Sequence, residues 1–429
     1  LDEGQVVALE LEKVLPKVPV LFDREDTWYS NIEKRNVEMI SARDMRIPLE
    51  LRPGGNPGHF NPAGGSLGKG SGPTFDKATV GSVYLKYGVE YTKKAEWATD
   101  NARKSVVQTV RRLLATSMAQ FRRFVDCLAV GDGTGTLGTI SAVASAGGKD
   151  TYTLDSDGFG ARLFQFAQYV GVFNAALSTQ RVVTPAGDGD EDNTDFINVD
   201  LVDLGAKQIR VGGAATGVIA TDKLIANGLG TNPTSLLGVM YHHSDASSGT
   251  WLGFNRANFP EIRANRVNAN SGPLALAHSR LALNKIGDRL GKSRGLKVVA
   301  WCHPAQAAAY EDLGQTSSII QKVAKSESLN LYFGNQFGGD MQLAGAPMNT
   351  HFSWNRKRID FVDRDLWGRV ETHPASFYEE GGKRMFEVRD TNGYVKAATV
   401  FYITAAIQLF HMNPAGASYV DALSTPDGY

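Results

Sequence analysis

Two segments of strict two-residue alternation stand on either side of a run that cannot form regular structure. Over 45–52, Ile47, Leu49 and Leu51 face one way and Arg46, Pro48, Glu50 and Arg52 the other. Over 82–92, Val83, Leu85, Tyr87, Val89 and Tyr91 oppose Ser82, Tyr84, Lys86, Glu90 and Thr92. Such alternation marks strands with one covered face, and Pro48 puts the first at a sheet edge. Between them lies RPGGNPGHFNPAGGSLGKGSGP, Arg52 to Pro73, with eight glycines and four prolines. The expectation is a long hairpin whose two strands pair across a flexible tip. At about 3.3 Å per residue, its arms and tip reach on the order of 40 Å. A lone two-stranded ribbon is marginal in water, so its second face is expected to lie on another molecule.

Directly after it, Val106, Val110, Leu113, Leu114, Phe121, Val125 and Leu128 recur at helical spacing. Thr99 or Asp100 supplies a start signal and Gly131 a stop. A helix of about 30 residues spans roughly 45 Å. Its arginine pairs, Arg111 with Arg112 and Arg122 with Arg123, read as a solvated face. The following GDGTGTLGTI contains Gly133, Gly135 and Gly138 in the spacing G-x-G-x-x-G. A dinucleotide site needs a strand before that motif and a helix after it. The order here is reversed, so the run reads as a tight turn.

From 149 to 227 the pattern becomes short strands with Gly and Asp turns, as in a small barrel or sandwich. Within it GDGDEDNTD (Asp188, Asp190, Asp192, Asp195) resembles the start of a calcium loop, but Asn193 and Val199 stand where that loop needs Gly and Glu. It reads as an acidic solvated turn. Helices are expected at about 278–292 and from Pro304, with a short one at SSIIQKVAK, and strands at LKVVAWC, KRIDFVD and KRMFEVRD. Asn392-Gly393 signals a hairpin turn. The longest apolar run, Ala397 to Phe410, is too short for a bilayer, which needs about 20 residues; it reads as a buried strand. An extended arm with a short helix near Val6 to Leu15 is expected at the start, and that start lacks the features of a secretory signal.

Lys plus Arg and Asp plus Glu both number 45, so no global basic field points to a dedicated nucleic-acid binder. Two distant cysteines, Cys127 and Cys302, fit a reducing compartment better than a disulfide framework. The eight histidines include no ligand spacing such as H-x-x-x-H. His242 and His243, beside Asp245, read as exposed loop residues with at most weak metal affinity. No nucleophile elbow, P-loop or kinase set is present. The expectation is a protein that is not an enzyme, with no catalytic, cofactor-binding or metal residues to name.

In this order of segments the chain resembles the major capsid proteins of tailed bacteriophages, the Hong Kong 97-like fold. The hairpin from Arg46 to Thr92 resembles that family's extended loop, and the helix from Thr99 to Val130 its spine helix. VGDGTGTLGTI is similar to its helix-to-strand turn. GTWLGFNRANFPEIRANRVNANSG, AAAYEDLGQ, LNLYFG, KRIDFV and FHMNPAGASYVDAL are similar to stretches of phage coat proteins.

The resemblance implies an α+β fold in seven parts: an N-terminal arm at 1–44, the extended hairpin loop at 45–98, and the spine helix with the start of a peripheral domain at 99–148. The segment 149–227, read as an inserted β-barrel-like domain, departs from the family's pattern; a connecting segment at 228–274, an axial domain at 275–345, and peripheral strands with the C-terminus at 346–429 follow. It also implies an icosahedral shell of pentamers and hexamers around the genome of a tailed double-stranded DNA virus, assembled in the host cytoplasm. Implied partners are further copies of the chain, portal and scaffolding proteins, a decoration protein, and packaged DNA contacted non-specifically, with no membrane. Some relatives crosslink a hairpin lysine to a neighbour's asparagine; Lys69, Lys77 and Lys86 lie in the matching region, and no crosslink is assigned. An encapsulin-like compartment shell is the alternative, and a soluble enzyme the third reading.

Overall fold

The strand Val395–His411 runs for 17 residues and is buried on both faces over its last half. That follows from its sequence, where alternation gives way to the continuous apolar run of a strand covered from both sides. In this computed structural model the described residues are 28–34, 44–59, 69–92, 103–155, 160–164, 168–184, 196–226, 228–291, 297–316, 342–389 and 393–426. The fold is mixed helix and sheet.

One edge of Val395–His411 pairs antiparallel with Val83–Thr92. Its other edge takes Trp367–Phe377 and, further along, Phe386–Arg389, both antiparallel. The expected hairpin is therefore corrected. Asp44–Arg52 pairs instead with Thr74–Gly81, with Ile47 opposite Ala78 and Arg52 opposite Thr74. Alternation fixes which face a strand buries and leaves its partner open. Ser82 separates the two strands, with its hydroxyl 2.5 Å from that of Thr372. Beyond it, Tyr87 reaches Phe121 of the long helix.

The ribbon also finds a face within its own chain. Met45, Ile47, Leu51, Ala78 and Val80 are buried against Trp251, Phe254, Ile262, Val370 and Phe410, and the Thr79 amide donates to the Leu252 carbonyl.

The long helix runs Arg103–Val130, about 42 Å at 1.5 Å per residue. Its expected N-cap, the arm helix near 6–15, SSIIQKVAK and LNLYFG lie outside the described residues. Met118, Phe121, Val125 and Leu128 form its buried face. Arg122 is buried as well, while Arg123 is exposed; the solvated-face reading of that pair is corrected. Helical geometry places Arg122 one residue from Phe121 and three from Val125, on the packed side.

The helix leads through the glycine turn into a closed six-stranded barrel. Its strands, in order around the wall, are Lys223–Ala226, Thr136–Ala146, Lys149–Leu154, Gln208–Val211, Phe196–Asp203 and Tyr169–Phe173. The first strand in sequence begins at Thr136, ahead of the boundary expected at 149, because Thr136–Ala146 pairs with strands on both sides. The interior is apolar, with Tyr152, Val170, Val172, Ile197, Ile209 and Leu224 fully covered. The chain enters and leaves side by side: the Ser235 amide donates to the Gly133 carbonyl at 2.8 Å. Gly133 and Gly135 take positive φ there, which glycine adopts at no steric cost.

Gly238 follows at the same crossing. A Cβ on it would stand 2.6 Å from the Ala129 carbonyl oxygen and would also collide with the Gly131 backbone. Gly238→Ala is expected to destabilise the chain by about 1–3 kcal/mol, read as a lower urea midpoint at unchanged slope.

A second sheet has the order Asn265–Asn268, Ser418–Asp421, Ile359–Val362, Val299–Cys302, Ala346–Thr350 and Gln342–Leu343. The helix Leu276–Leu290 packs on it through Ala282 and Ile286, and Pro304–Thr316 through Ala307. Strands from both sides of position 345 share this sheet, so the division expected at 345/346 would cut a hydrogen-bonded unit.

Candidate assembly surface

The ribbon is held at its root and bare at its tip. Arg52 donates from Nε to Glu261 at 3.1 Å and from Nη2 to the Asn258 carbonyl at 2.9 Å, and its guanidinium lies over the Phe259 ring. Past that clamp, residues 52–59 and 69–77 are all exposed. Beyond the Arg52–Thr74 pair, hydrogen bonds join the two arms of the tip: the Gly55 amide donates to the Ser71 carbonyl, Ser71 Oγ to the Gly55 carbonyl, and Asn56 Nδ2 to the Lys69 carbonyl. Phe75 is 66% exposed on the outer face. Lys69, Lys77 and Lys86 are exposed.

Near the sheet of Val395–His411 a groove of about 700 Å³ opens, with Leu85, Phe377, Ala405 and Ala406 in its lining and Tyr84 and Tyr378 exposed beside them. It forms where Trp367–Phe377 bulges away from its partner between Glu371 and Ser376. Pro374, which has no amide to donate, sits in that bulge. Tyr394 and Val395 are exposed at the start of the long strand.

The N-terminal helix Trp28–Asn31 is anchored to the body. The Trp28 ring meets Trp301, Trp354 and Trp367 edge-on at centroid separations of 5.1, 5.6 and 5.2 Å. The Tyr29 amide donates to Asp126 at 2.8 Å, and Arg369 donates to the Tyr29 carbonyl. Asp126 also pairs with His351 Nε2. Nothing in the apolar pattern of the sequence pointed to this cluster, because its four indoles come from segments far apart in the chain.

His242 and His243 are fully buried, which corrects the exposed-loop reading. Turn-rich surroundings masked them, since adjacent polar residues in such a stretch ordinarily face water. Their partners lie elsewhere than Asp245. Trp251 Nε1 donates to His242 Nδ1 at 3.0 Å, and His243 Nδ1 lies 3.0 Å from Asp360. Asp360 also accepts two hydrogen bonds from Arg358 Nε, one from Arg358 Nη2, and one from Trp354 Nε1. Burial pushes the Asp360 carboxyl up, and Arg358 and His243 outweigh it and hold the group down to about 2. Asp245 instead accepts from the Tyr419 hydroxyl.

The GDGTGTLGTI run is a turn with a helix before it and a strand after it, and Asp132 accepts from the Thr134 amide within it. The calcium-like stretch at 187–195 lies outside the described residues. Among the described residues no three metal-ligating side chains gather, and no helix is long and apolar enough to cross a membrane. Cys127 and Cys302 are buried and not joined in a disulfide.

No protein family matches the chain, and no curated protein does. Several solved structures share parts of its course. The cyanophage A-1(L) capsid subunit is 10% identical, with 92% of each chain covered and a TM-score of 0.47. The capsid of the native GTA particle is 11% identical, with 93% of this chain and 90% of that one covered and a TM-score of 0.39. The virus-like particle of Pyrococcus furiosus is 8% identical, with 96% and 98% covered and a TM-score of 0.37. Each of these three is a capsid or a virus-like particle.

Proposed function

We propose that this chain is a major capsid protein that assembles with copies of itself into the closed icosahedral shell of a tailed double-stranded DNA virus. The observation that carries the reading is the ribbon tip. It is clamped at Arg52 and then exposed on all sides through 53–59 and 69–77. A ribbon whose described tip residues past that clamp, 53–59 and 69–73, are all exposed gains stability there only when a neighbour covers it. Phe75, Tyr84, Tyr394 and Val395, each more than half exposed, supply further apolar area for lattice contacts. The segment order that resembles tailed-phage coat proteins supports the same reading.

On this reading the protein is structural and has no catalytic site. Its neighbours in the particle are more copies of itself in pentamers and hexamers, with portal, scaffolding and decoration proteins. Its zero formal charge suits a wall that touches packaged DNA without binding it tightly. The barrel, attached through one crossing, is the part that carries contacts particular to this virus, and the host cytoplasm is the place of assembly.

Electron microscopy of the purified protein tests the reading. Closed shells support it, and persistent monomers under assembly conditions overturn it. Shells that enclose a protein cargo in place of nucleic acid would assign the chain to a cellular compartment. Replacing 53–73 with Asn-Gly, a two-residue turn suited to the Arg52–Thr74 pair, is expected to leave a folded subunit that assembles poorly. Normal shells from that variant would show the tip dispensable.

A further inference from the structure

Three packed groups meet at a cluster of groups able to take up protons. His242, His243 and His411 are each 1% exposed or less. The His411 ring stands 6.3 Å from His242 and 5.5 Å from His243, centroid to centroid. Trp367 touches all three, at 5.2, 5.6 and 5.0 Å. Because Trp251 donates to His242 Nδ1, the proton of His242 sits on Nε2. Among the described residues, neither ring nitrogen of His411 has a hydrogen-bond partner.

The charged and titratable groups facing the cluster come from every side. Arg256 faces His242, Asp360 and Arg358 face His243, and the Tyr241 ring packs edge-on to His242. The one carboxylate among them, Asp360, is already taken by Arg358 and Trp354. A proton gained by His411 or His242 would therefore be a buried charge with no counter-ion.

The position of the cluster gives this chemistry its reach. Trp251 packs with the ribbon residues Met45, Ile47, Leu51, Ala78 and Val80. Trp367 packs with Trp28 of the N-terminal helix. None of these rings lies on a barrel strand, although Trp28 and Trp367 share one apolar cluster with barrel residues such as Leu137 and Tyr152.

We propose that the His242–His243–His411 junction is an acid-sensitive clamp, whose uncharged imidazoles hold the ribbon and the Trp28 helix on the body and whose protonation releases them while the barrel stays folded. Burial pushes all three histidines down, His242 to about 3, and a charge on any one opposes charge on the others. An imidazole freed into water titrates near 6.5. Between those values the opened form binds more protons, so falling pH favours opening, by up to about tenfold per pH unit for each histidine. Asp360 enters only below about pH 4 and is separable from this effect. The inference goes beyond the shell reading and does not depend on it.

Hydrogen exchange of the full chain, followed by mass spectrometry and corrected for intrinsic rates, tests it. Between pH 6.5 and 5, protection of 44–52, 74–81 and 237–254 is expected to fall by at least about 15-fold, the contribution of one histidine. Protection of 149–154 and 208–211 in the barrel is expected to hold. His411→Gln and His411→Phe should each make the pH dependence shallower by about one proton, and the exposed His373→Gln should leave it unchanged. Equal loss in the barrel, or undiminished steepness in both His411 variants, overturns the clamp. Should neither variant fold, the contrast between ribbon and barrel in the unmodified chain decides.

Discussion

Asp360→Ala is expected to lower the stability of the subunit by about 3–5 kcal/mol, the usual loss when one partner of a buried ion pair is removed. Asp360 is fully buried, and its carboxylate answers three side chains at once, His243, Trp354 and Arg358. Without it the Arg358 guanidinium, whose side chain is only 13% exposed, is left charged with one remaining acceptor, the His243 carbonyl, and the Tyr419 ring beneath it. Asp360→Asn keeps an acceptor and loses the charge, so a smaller loss of about 1.5–3 kcal/mol is expected. Removing both partners, as Asp360→Leu with Arg358→Met, should recover much of the loss, since neither charge is then stranded. Urea unfolding of the dissociated subunit reads all three. A loss under about 1 kcal/mol for the alanine variant would refute the account. Because Asp360 is held near 2, its contribution is complete above about pH 4 and is lost as pH falls toward 2.

Trp28→Ala is expected to cost a similar amount, about 3–5 kcal/mol. Trp28 is 1% exposed and closes the cluster with Trp301, Trp354 and Trp367. The helix that carries it is four residues long, far too short to hold itself together. Its position depends on that indole, on Ile32, and on the ties from Tyr29 to Asp126, Glu371 and Arg369. Loss of the ring should therefore free 28–34 to exchange as well as shift the unfolding midpoint. The exposed Tyr84→Ala is the comparison, expected within about 0.5 kcal/mol of the unmodified chain. Equal effects of the two changes would show that the indole cluster contributes little.

What the sequence disclosed follows from range. Periodicity is local, so the long helix with its Phe121, Val125 and Leu128 face and the buried strand through Ala397–Phe410 were legible. The reversed order around GDGTGTLGTI was legible for the same reason. Pairing is not local. The alternation of 83–91 named its buried side correctly, yet its partner lies more than 300 residues away. Thr74–Gly81 escaped notice because only Ala78 and Val80 face inward there. The buried polar residues were the least visible. Arg122, His242, His243 and Asp360 each look like surface residues until the segments that enclose them are brought together in space.

The meeting of Gly133 and Ser235 at the foot of the barrel has a consequence for how such a chain can vary. About a hundred residues leave the main body and return one hydrogen bond from where they left. To the rest of the chain, that whole stretch is equivalent to a short loop, and the entropy of closing it hardly depends on what it contains. Any module whose own ends lie a few ångströms apart can be grafted at this crossing, provided that it still covers Val130, Leu236 and Val239 at the base. The body can thus remain constant while the graft diversifies.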